Sequence, residues 1–442
     1  MKNYELLKNR VFYFALVVSL GGFLFGFDTA VISGAEQAIQ VLWGLDVFSH
    51  GLTVSIALVG TVLGAFFGGI PSDTYGRKYT LIGIGILYFI SALGSAITTD
   101  WYAFLFFRWL GGLGVGASSI AAPLYISEIA PAHLRGRLVA MFQFNIVLGI
   151  LIAFLSNYLI ADLGGVNMWR WMLGVEIVPA FVFIVLMFTV PHSPRWLIIK
   201  LGKLEGAKKI FQMTGEKDIE SKINEIQQSS VLQAKGKIRY WDYKKPIFLA
   251  VTLAIFNQVS GINAIIYYAP RIFEMAGLGK SSALLSSVGI GVINFMFTLL
   301  AIVFIDKLGR RLLMHIGSFG LIGTLSMVAY SFHVGPDQMT SVPIYLFIYI
   351  AFFAFSQGAV IWVFISEIFP NDVRAFGQSV GSFTHWIMAA CIAAIFPALT
   401  AQIGPANTFM LFACMMVLQW VFVFLYMPET KGRSLEDLGK TL

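Results

Sequence analysis

Twelve apolar stretches, each close to the length that crosses a bilayer, follow one another along a 442-residue chain and leave it few folds to adopt. They lie near 11–35, 51–70, 79–97, 101–125, 138–160, 169–190, 246–273, 281–304, 312–333, 342–366, 377–400 and 405–427. A hydrocarbon core about 30 Å thick takes roughly 20 helical residues, and backbone polar groups in lipid must bond within their own segment. The short alternating segments that a barrel needs are absent. The expected fold is therefore an all-α membrane protein of twelve transmembrane helices. Composition agrees, because only 12% of the residues are charged and 58% are apolar. Soluble domains hold about 25% charged residues, and this chain has too little polar surface to clothe a water-facing globule.

Orientation follows from Lys and Arg. With the N-terminus cytoplasmic, all but four of the 30 fall in the first tail, the even-numbered connections and the C-terminal tail; the exceptions are Arg108, Arg170, Arg271 and Lys280. The positive-inside rule then puts both termini in the cytoplasm and accounts for the net charge of +7 without nucleic acid. MKNYELLKNR reads as a cytoplasmic tail ahead of the first span, since no small-residue cleavage site follows it. Cys391 and Cys414 stand in separate apolar stretches without ligand-like spacing, so neither a disulfide scaffold nor a metal site is expected.

Residues 193–245 are polar and rich in Lys, Glu and Gln, and they separate six spans from six. The chain divides into an N-terminal six-helix half, 1–192, a cytoplasmic helical linker, 193–245, and a C-terminal half with a short cytoplasmic tail, 246–442. The halves repeat. Asp73, Gly76, Arg77 and Lys78 recur as Asp306, Gly309, Arg310 and Arg311, 233 residues on; YISEIAPAHLRG recurs as FISEIFPNDVRA, 239 on; PHSPRW pairs with PETKGR, 237 on. Six spans that return to the same side form a parallel repeat, the arrangement of transporters whose halves rock about a central site. Asp73, Arg77, Glu128, Arg135, Arg137, Asp306, Arg310, Glu367 and Arg374 lie at cytoplasmic helix ends, where carboxylates pair with guanidinium groups and helix N-termini. Pairs that form in one arrangement of the halves make a cytoplasmic gate; ordinary positive-inside anchoring concerns the bases alone.

Ionisable residues inside spans are costly, and each is a functional candidate. Asp28, Arg108 and Glu176 fall at comparable outer depths in spans 1, 4 and 6. A carboxylate facing Arg108 keeps its charge, and one that loses this partner takes up a proton. The other reading is a buried ion pair that only fixes packing, and Glu176 has the further option of bonding backbone freed by Pro179. Neutral amides suit a sugar, since they donate and accept without the desolvation cost of charge. Asn257, Gln258 and Asn263 surround Gly261 in span 7 ahead of Tyr267, and Gly261 and Pro270 let that helix break. Gln143, Asn294 and Trp362 add polar and aromatic groups from spans 5, 8 and 10. An isolated intramembrane amide is also common as interhelical glue.

GGFLFGFDTAVISG (21–34), RWLGGLGVG (108–116), PLYISEIAPAHLRGR (123–137), PHSPRWL (191–197), QVSGINAIIYYAP (258–270), DKLGRR (306–311) and PETKGRSLEDL (428–438) together resemble the sugar porter family of the major facilitator superfamily, closest to its bacterial sugar/proton symporters. The resemblance runs from about Phe14 to Leu435. It departs at Thr74, where Arg is usual, at His192, where PESPR has Glu, at Asn257, the first of a Gln pair, and at Ala359, where GPxxW has Pro. The resemblance implies the major facilitator fold, with Asp28 as the proton site, Arg108 as its partner and Glu176 in that network. It also implies sugar contacts at Gln143, Gln258, Asn263, Asn294 and Trp362, and at Asn257 and His385 where the residue type has changed. Phe25, Tyr267 and Gly358 match weaker contact or gate positions. His385 reads as a neutral hydrogen-bonding replacement or as a second proton site.

The function expected is secondary active monosaccharide transport with proton symport, in the bacterial inner membrane. No cofactor is expected, the partners are a pentose or hexose, the proton and the lipid bilayer, and the unit is a monomer containing one complete pathway. A facilitative uniporter is the alternative within transport. A non-transporting sensor would call for a long signalling extension, whereas 15 residues follow Met427. An enzyme is not expected, because no nucleophile–base pair or metal cluster stands beside the cavity residues, and RWLGGLGVG is a helix-packing stripe rather than a phosphate loop.

Overall fold

The computed structural model describes residues 2–131, 134–162, 165–216, 218–233, 243–370 and 373–431; parts of the linker and of the repeated motifs, at 132–133, 217, 234–242, 371–372 and 432–438, lie outside the described residues. No strand occurs among the described residues. The helices, in order, are α1 (Lys2–Trp43), α2 (Val47–Phe67), α3 (Gly69–Thr74), α4 (Arg77–Ile97), α5 (Trp101–Ile129), α6 (Arg135–Ile160), α7 (Met168–Gly174) and α8 (Ile177–Thr189). The linker carries α9 (Pro194–Leu201), α10 (Leu204–Thr214) and α11 (Ile219–Gln233). Then come α12 (Lys244–Val259), α13 (Ile262–Tyr267), α14 (Ala269–Met275), α15 (Lys280–Leu308), α16 (Arg310–Val334), α17 (Pro336–Met339), α18 (Val342–Phe355), α19 (Gln357–Glu367) and α20 (Arg374–Tyr426).

Among the described residues, eleven helical segments are long and apolar enough to cross a membrane. The last holds two crossings. At 53 residues α20 would extend about 80 Å as a straight rod, far beyond one bilayer, and it is broken at Gly404, with φ 79° and ψ 161°. Split there, it gives the twelve crossings that the sequence predicts.

Several spans are interrupted at depth, each for a local reason. Gly261 takes φ +86°, a left-handed conformation that ends α12 and restarts the chain as α13. Pro270 has no N–H to return to Ile266, and the helix breaks again at Tyr268. Pro179 likewise leaves the Val175 carbonyl without its ordinary donor; Val178 N–H takes it at 3.2 Å, and the break places Glu176 between α7 and α8. Ser356 separates α18 from α19.

The contacts divide the chain into two compact units, Met1–Asp28, Gly60–Gly149 and Gly174–Ile238 in one, Thr29–Val59, Ile150–Leu173 and Arg239–Leu442 in the other. They differ from the repeat halves, 1–192 and 246–442, because residues 29–59 and 150–173 pack with residues beyond 239. Within the first unit α1 and α6 cross at backbone contact: a Cβ on Gly26 would overlap the Ile146 carbonyl, and one on Gly149 the Phe23 carbonyl. In lipid, where apolar side chains gain little from association, such close approach is a main source of helix affinity. The linker helices fold onto this unit, with Trp196, Leu197, Ala207, Ile210, Phe211, Ile223 and Ile226 in one core. Ser193 caps α9 by accepting from Trp196 N–H, and Gly202 and Gly215 close α9 and α10 in left-handed conformations. In the second unit Leu253, Leu313, Met314, Phe364, Ile365, Phe369 and Val423 form the core among α12, α16, α19 and α20.

Candidate functional site

In the second unit the break at Gly261 brings three amides together. Asn263 Nδ2 donates to Gln258 Oε1 at 2.7 Å, and Gln258 Nε2 donates to Asn257 Oδ1 at 2.8 Å. Gln258 Nε2 also lies 3.2 Å from the His385 ring nitrogens. An amide N–H pointing at an imidazole needs an unprotonated nitrogen to receive it, so this contact calls for a neutral His385. Trp362 and Trp386 flank His385, each with ring centroids 4.8 Å away. Tyr349 OH braces the break by donating to the Ser260 carbonyl at 3.0 Å.

Four of the expected sugar residues, Asn257, Gln258, Asn263 and His385, thus form one buried hydrogen-bonded network, with Trp362 on its aromatic side. Asn294, buried in α15, makes no hydrogen bond to it; Tyr267 is buried on α13, and Gly358 lies at the start of α19. Gln143 on α6 and Phe25 on α1 belong to the other unit.

In the first unit Asp28 and Arg108 pair, with Nη1 to Oδ1 at 2.5 Å and Nη2 to the Asp28 carbonyl at 3.4 Å; both residues are 2% exposed. Glu176 is equally buried, within electrostatic range of both, and its Oε1 has no hydrogen-bond partner. Gly111 makes room beside the pair, since a Cβ there would stand 3.6 Å from Asp28 Oδ1 and would overlap Ser91 Oγ. The Tyr88, Ser91 and Ser95 hydroxyls on α4 and the Ser118 hydroxyl on α5 are buried as well. Sequence reading missed these groups, although Tyr88, Ser91 and Ser95 share one face of α4 by their spacing.

Two further clusters occupy helix ends, one in each unit, and their chemistry repeats. Arg77 binds Glu128 at 3.0 Å and Asp73 at 3.0 Å, while Ser193 donates to the second oxygen of Glu128 at 2.5 Å. Arg310 binds Glu367 at 2.7 and 3.0 Å and Asp306 at 3.0 Å, and Thr430 donates to Glu367 at 2.6 Å. Ser193 and Thr430 occupy matching places in the repeat. Arg135 and Arg137 are exposed and pair with no acid among the described residues, and Arg374 forms no ion pair there.

The repeats part company one residue earlier. Glu429 accepts from the backbone N–H groups of Arg310 and Arg311, both at 3.0 Å, and so caps α16. Burial pushes its carboxyl up, but backbone donors from Lys431, Arg310, Arg311 and Thr430 outweigh this and hold it below the usual glutamate value of 4.5. Its counterpart is His192, which offers no carboxylate to the backbone N–H groups at the start of α4 and stacks instead on Trp196, with centroids 5.5 Å apart. Burial, with Lys78 and Lys203 nearby, holds the His192 ring below its usual range.

Two results follow. His192→Glu is expected to cap α4 and raise the unfolding midpoint in detergent by a few degrees, corresponding to about 1 kcal/mol; an unchanged midpoint would show that the stack on Trp196 is worth as much. Glu429, with its lowered folded value, contributes fully above pH 4.5 and loses that contribution as pH falls toward its own value. Glu429→Gln should therefore lower the midpoint at neutral pH and flatten its decline in acid, as read from unfolding curves across pH.

The family profile described as Sugar (and other) transporter matches residues 14–442. The chain belongs to this sugar transporter family. It is 36% identical to the D-xylose-proton symporter of Escherichia coli over 98% of its own length and 95% of that protein. It is 37% identical to the glucose transport protein of Synechocystis, over 96% and 95%. Among solved structures, the inward open conformation of the xylose transporter XylE from E. coli matches with a TM-score of 0.87 at 34% identity, covering 98% of this chain and 99% of that one. The protein is an integral membrane transporter of the major facilitator fold, and its relatives are transporters rather than enzymes. In this transporter the amide network and the Asp28–Arg108 pair are two of the sets of buried, mutually bonded polar side chains among the described residues.

Proposed function

We propose that the transporter carries a monosaccharide, a pentose or a hexose, together with a proton, by alternating access between its two six-helix halves. The observation that carries this reading is the enclosed Asp28–Arg108 pair beside Glu176. A carboxylate this deeply buried is tolerated while its guanidinium is on it, and in this reading a proton takes the guanidinium's place when the cycle separates the two. Glu176, with one acceptor oxygen unused, is the neighbouring group through which the proton passes.

The sugar is assigned to Gln143, Asn257, Gln258, Asn263, Asn294, Trp362 and His385, with Phe25, Tyr267 and Gly358 at the edges. Three linked amides and a neutral imidazole offer donors and acceptors without net charge, and Trp362 offers an apolar face to sugar C–H groups. The two Arg–Glu clusters, with Asp73 and Asp306, form the cytoplasmic gate. In this reading both termini are cytoplasmic, as the Lys and Arg asymmetry supports, the protein sits in the bacterial inner membrane, and one chain is the working unit. Relatives named as a xylose-proton symporter and a glucose transport protein agree with this substrate class.

Uptake of labelled pentoses and hexoses into proteoliposomes, with and without an inward proton gradient, tests the reading. Accumulation above the external concentration only under the gradient is the expected result. Equilibration that ignores the gradient would make the protein a facilitator, and no sugar flux in either condition would overturn the reading altogether.

A further inference from the structure

Arg271 is one of the four bases that break the Lys and Arg asymmetry, and the structure shows what it is doing there. Its guanidinium forks onto Glu36 of α1, with Nε to Oε1 at 2.9 Å and Nη2 to Oε2 at 2.7 Å. Nη2 also meets Gln40 Oε1 at 2.6 Å and lies 3.4 Å from His50 Nε2. That same Nε2 is 2.7 Å from Glu36 Oε2, and the His50 Nδ1 is buried without a hydrogen-bond partner. The Glu36 side chain is fully enclosed, whereas that of Arg271 is 25% exposed at the rim. Tyr268 meets His50 edge to face with ring centroids 5.9 Å apart, Tyr267 adjoins it on the chain, and Glu274 acts on Arg271 from α14 itself.

We propose that Glu36, His50 and Arg271 form an ionic latch that holds the outer entrance closed and sets how readily sugar enters from outside. The proposal rests on the alternating-access reading and its orientation. α14 is a seven-residue helix set off by the break at Tyr268 and by Gly277 at φ +91°, so it can swing without breaking hydrogen bonds inside a longer helix. A buried carboxylate is tolerated while the fork is on it, and opening must hydrate both partners together. Intermediate positions, with Glu36 enclosed and unpaired, are therefore disfavoured, which gives the contact two states. The seal around it is tight: next to His50, a Cβ on Gly51 would overlap the Ala394 carbonyl, and Tyr268 OH donates to the Ala393 carbonyl at 2.9 Å. Neither sugar recognition nor proton coupling, as derived above, uses any of the three residues; they are positioning residues for the transport cycle.

Ala393 is fully enclosed in this arrangement, so Ala393→Cys reports opening. The two native cysteines are exposed, and the parent therefore carries Cys391→Ser and Cys414→Ser. A membrane-impermeant maleimide is applied to intact cells, and labelling is compared among the parent, Glu36→Gln and Arg271→Lys, the last keeping charge but losing the fork. Labelling is expected to rise at least about fivefold in Glu36→Gln and by less in Arg271→Lys, while the half-saturation for sugar entering from outside falls. Equal labelling in parent and Glu36→Gln overturns the latch, as does equal labelling in Arg271→Lys should Glu36→Gln not reach the membrane. A rise confined to inverted vesicles overturns its placement at the outer side. Labelling needs no sugar, so a parent that carried none would overturn the functional reading and leave the latch measurable.

Discussion

Asp28→Asn is expected to abolish uphill sugar accumulation while leaving sugar exchange across the membrane in place. With one proton per sugar, an inward gradient of one pH unit supports about tenfold accumulation, and the variant should bring this ratio to one. The reason lies in what the side chain can hold. Asn keeps the shape and the hydrogen-bond acceptor toward Arg108 but has no second protonation state, so the cycle can turn over with sugar and cannot be biased by protons. Exchange measured in the same proteoliposomes serves as the control for folding, because leaving Arg108 without its counterion costs stability. Accumulation retained in full would move coupling away from Asp28, with Glu176 the next residue to replace.

Gln258→Ala is expected to raise the half-saturation for sugar exchange about 30- to 100-fold, equivalent to some 2–3 kcal/mol. Gln258 is the centre of the network: it receives Asn263, donates to Asn257 and reaches His385. Its removal deletes one partner and leaves the other amides turned toward an empty side. His385→Gln, which keeps a neutral donor and acceptor, should stay within about tenfold of the parent. An unchanged half-saturation in Gln258→Ala would show that the amides brace the broken helix and do not meet sugar.

Much of this was legible from one dimension because the constraints were periodic or duplicated. Spans of bilayer length, the Lys and Arg asymmetry and the spaced repeat of Asp73-Arg77-Glu128 as Asp306-Arg310-Glu367 are all properties of order along the chain. The amide cluster was legible because Gly261 and Pro270 mark a break in an apolar helix, and polar groups at a break need a reason. Other features depend on contacts between segments far apart in sequence. Glu36, Gln40 and His50 sit near the end of one span and the start of the next, where polar residues are ordinary, and nothing local tells that Arg271 returns to them. Nothing local in the sequence singles out Ser193; only the fold shows its hydroxyl on Glu128, in the role that Thr430 plays for Glu367. The substitution at His192 was visible, but its meaning, a helix start without its carboxylate, needed the comparison with Glu429.

The segment α13 is six residues long, about 9 Å by helical rise, and is bounded by Gly261 on one side and Tyr268 on the other. Asn263 rides on it, apart from the longer helix that carries Asn257 and Gln258. At its ends the backbone ladder thins to Ile265 N–H on the Gly261 carbonyl at 2.9 Å and Tyr268 N–H on the Ala264 carbonyl at 3.0 Å. Its repositioning therefore works against few backbone bonds and a set of side-chain contacts of the same order as the hydrogen bonds a sugar offers. A ligand as small as a pentose, too weak to bend an intact membrane helix, has enough leverage to turn a short spindle between two bearings.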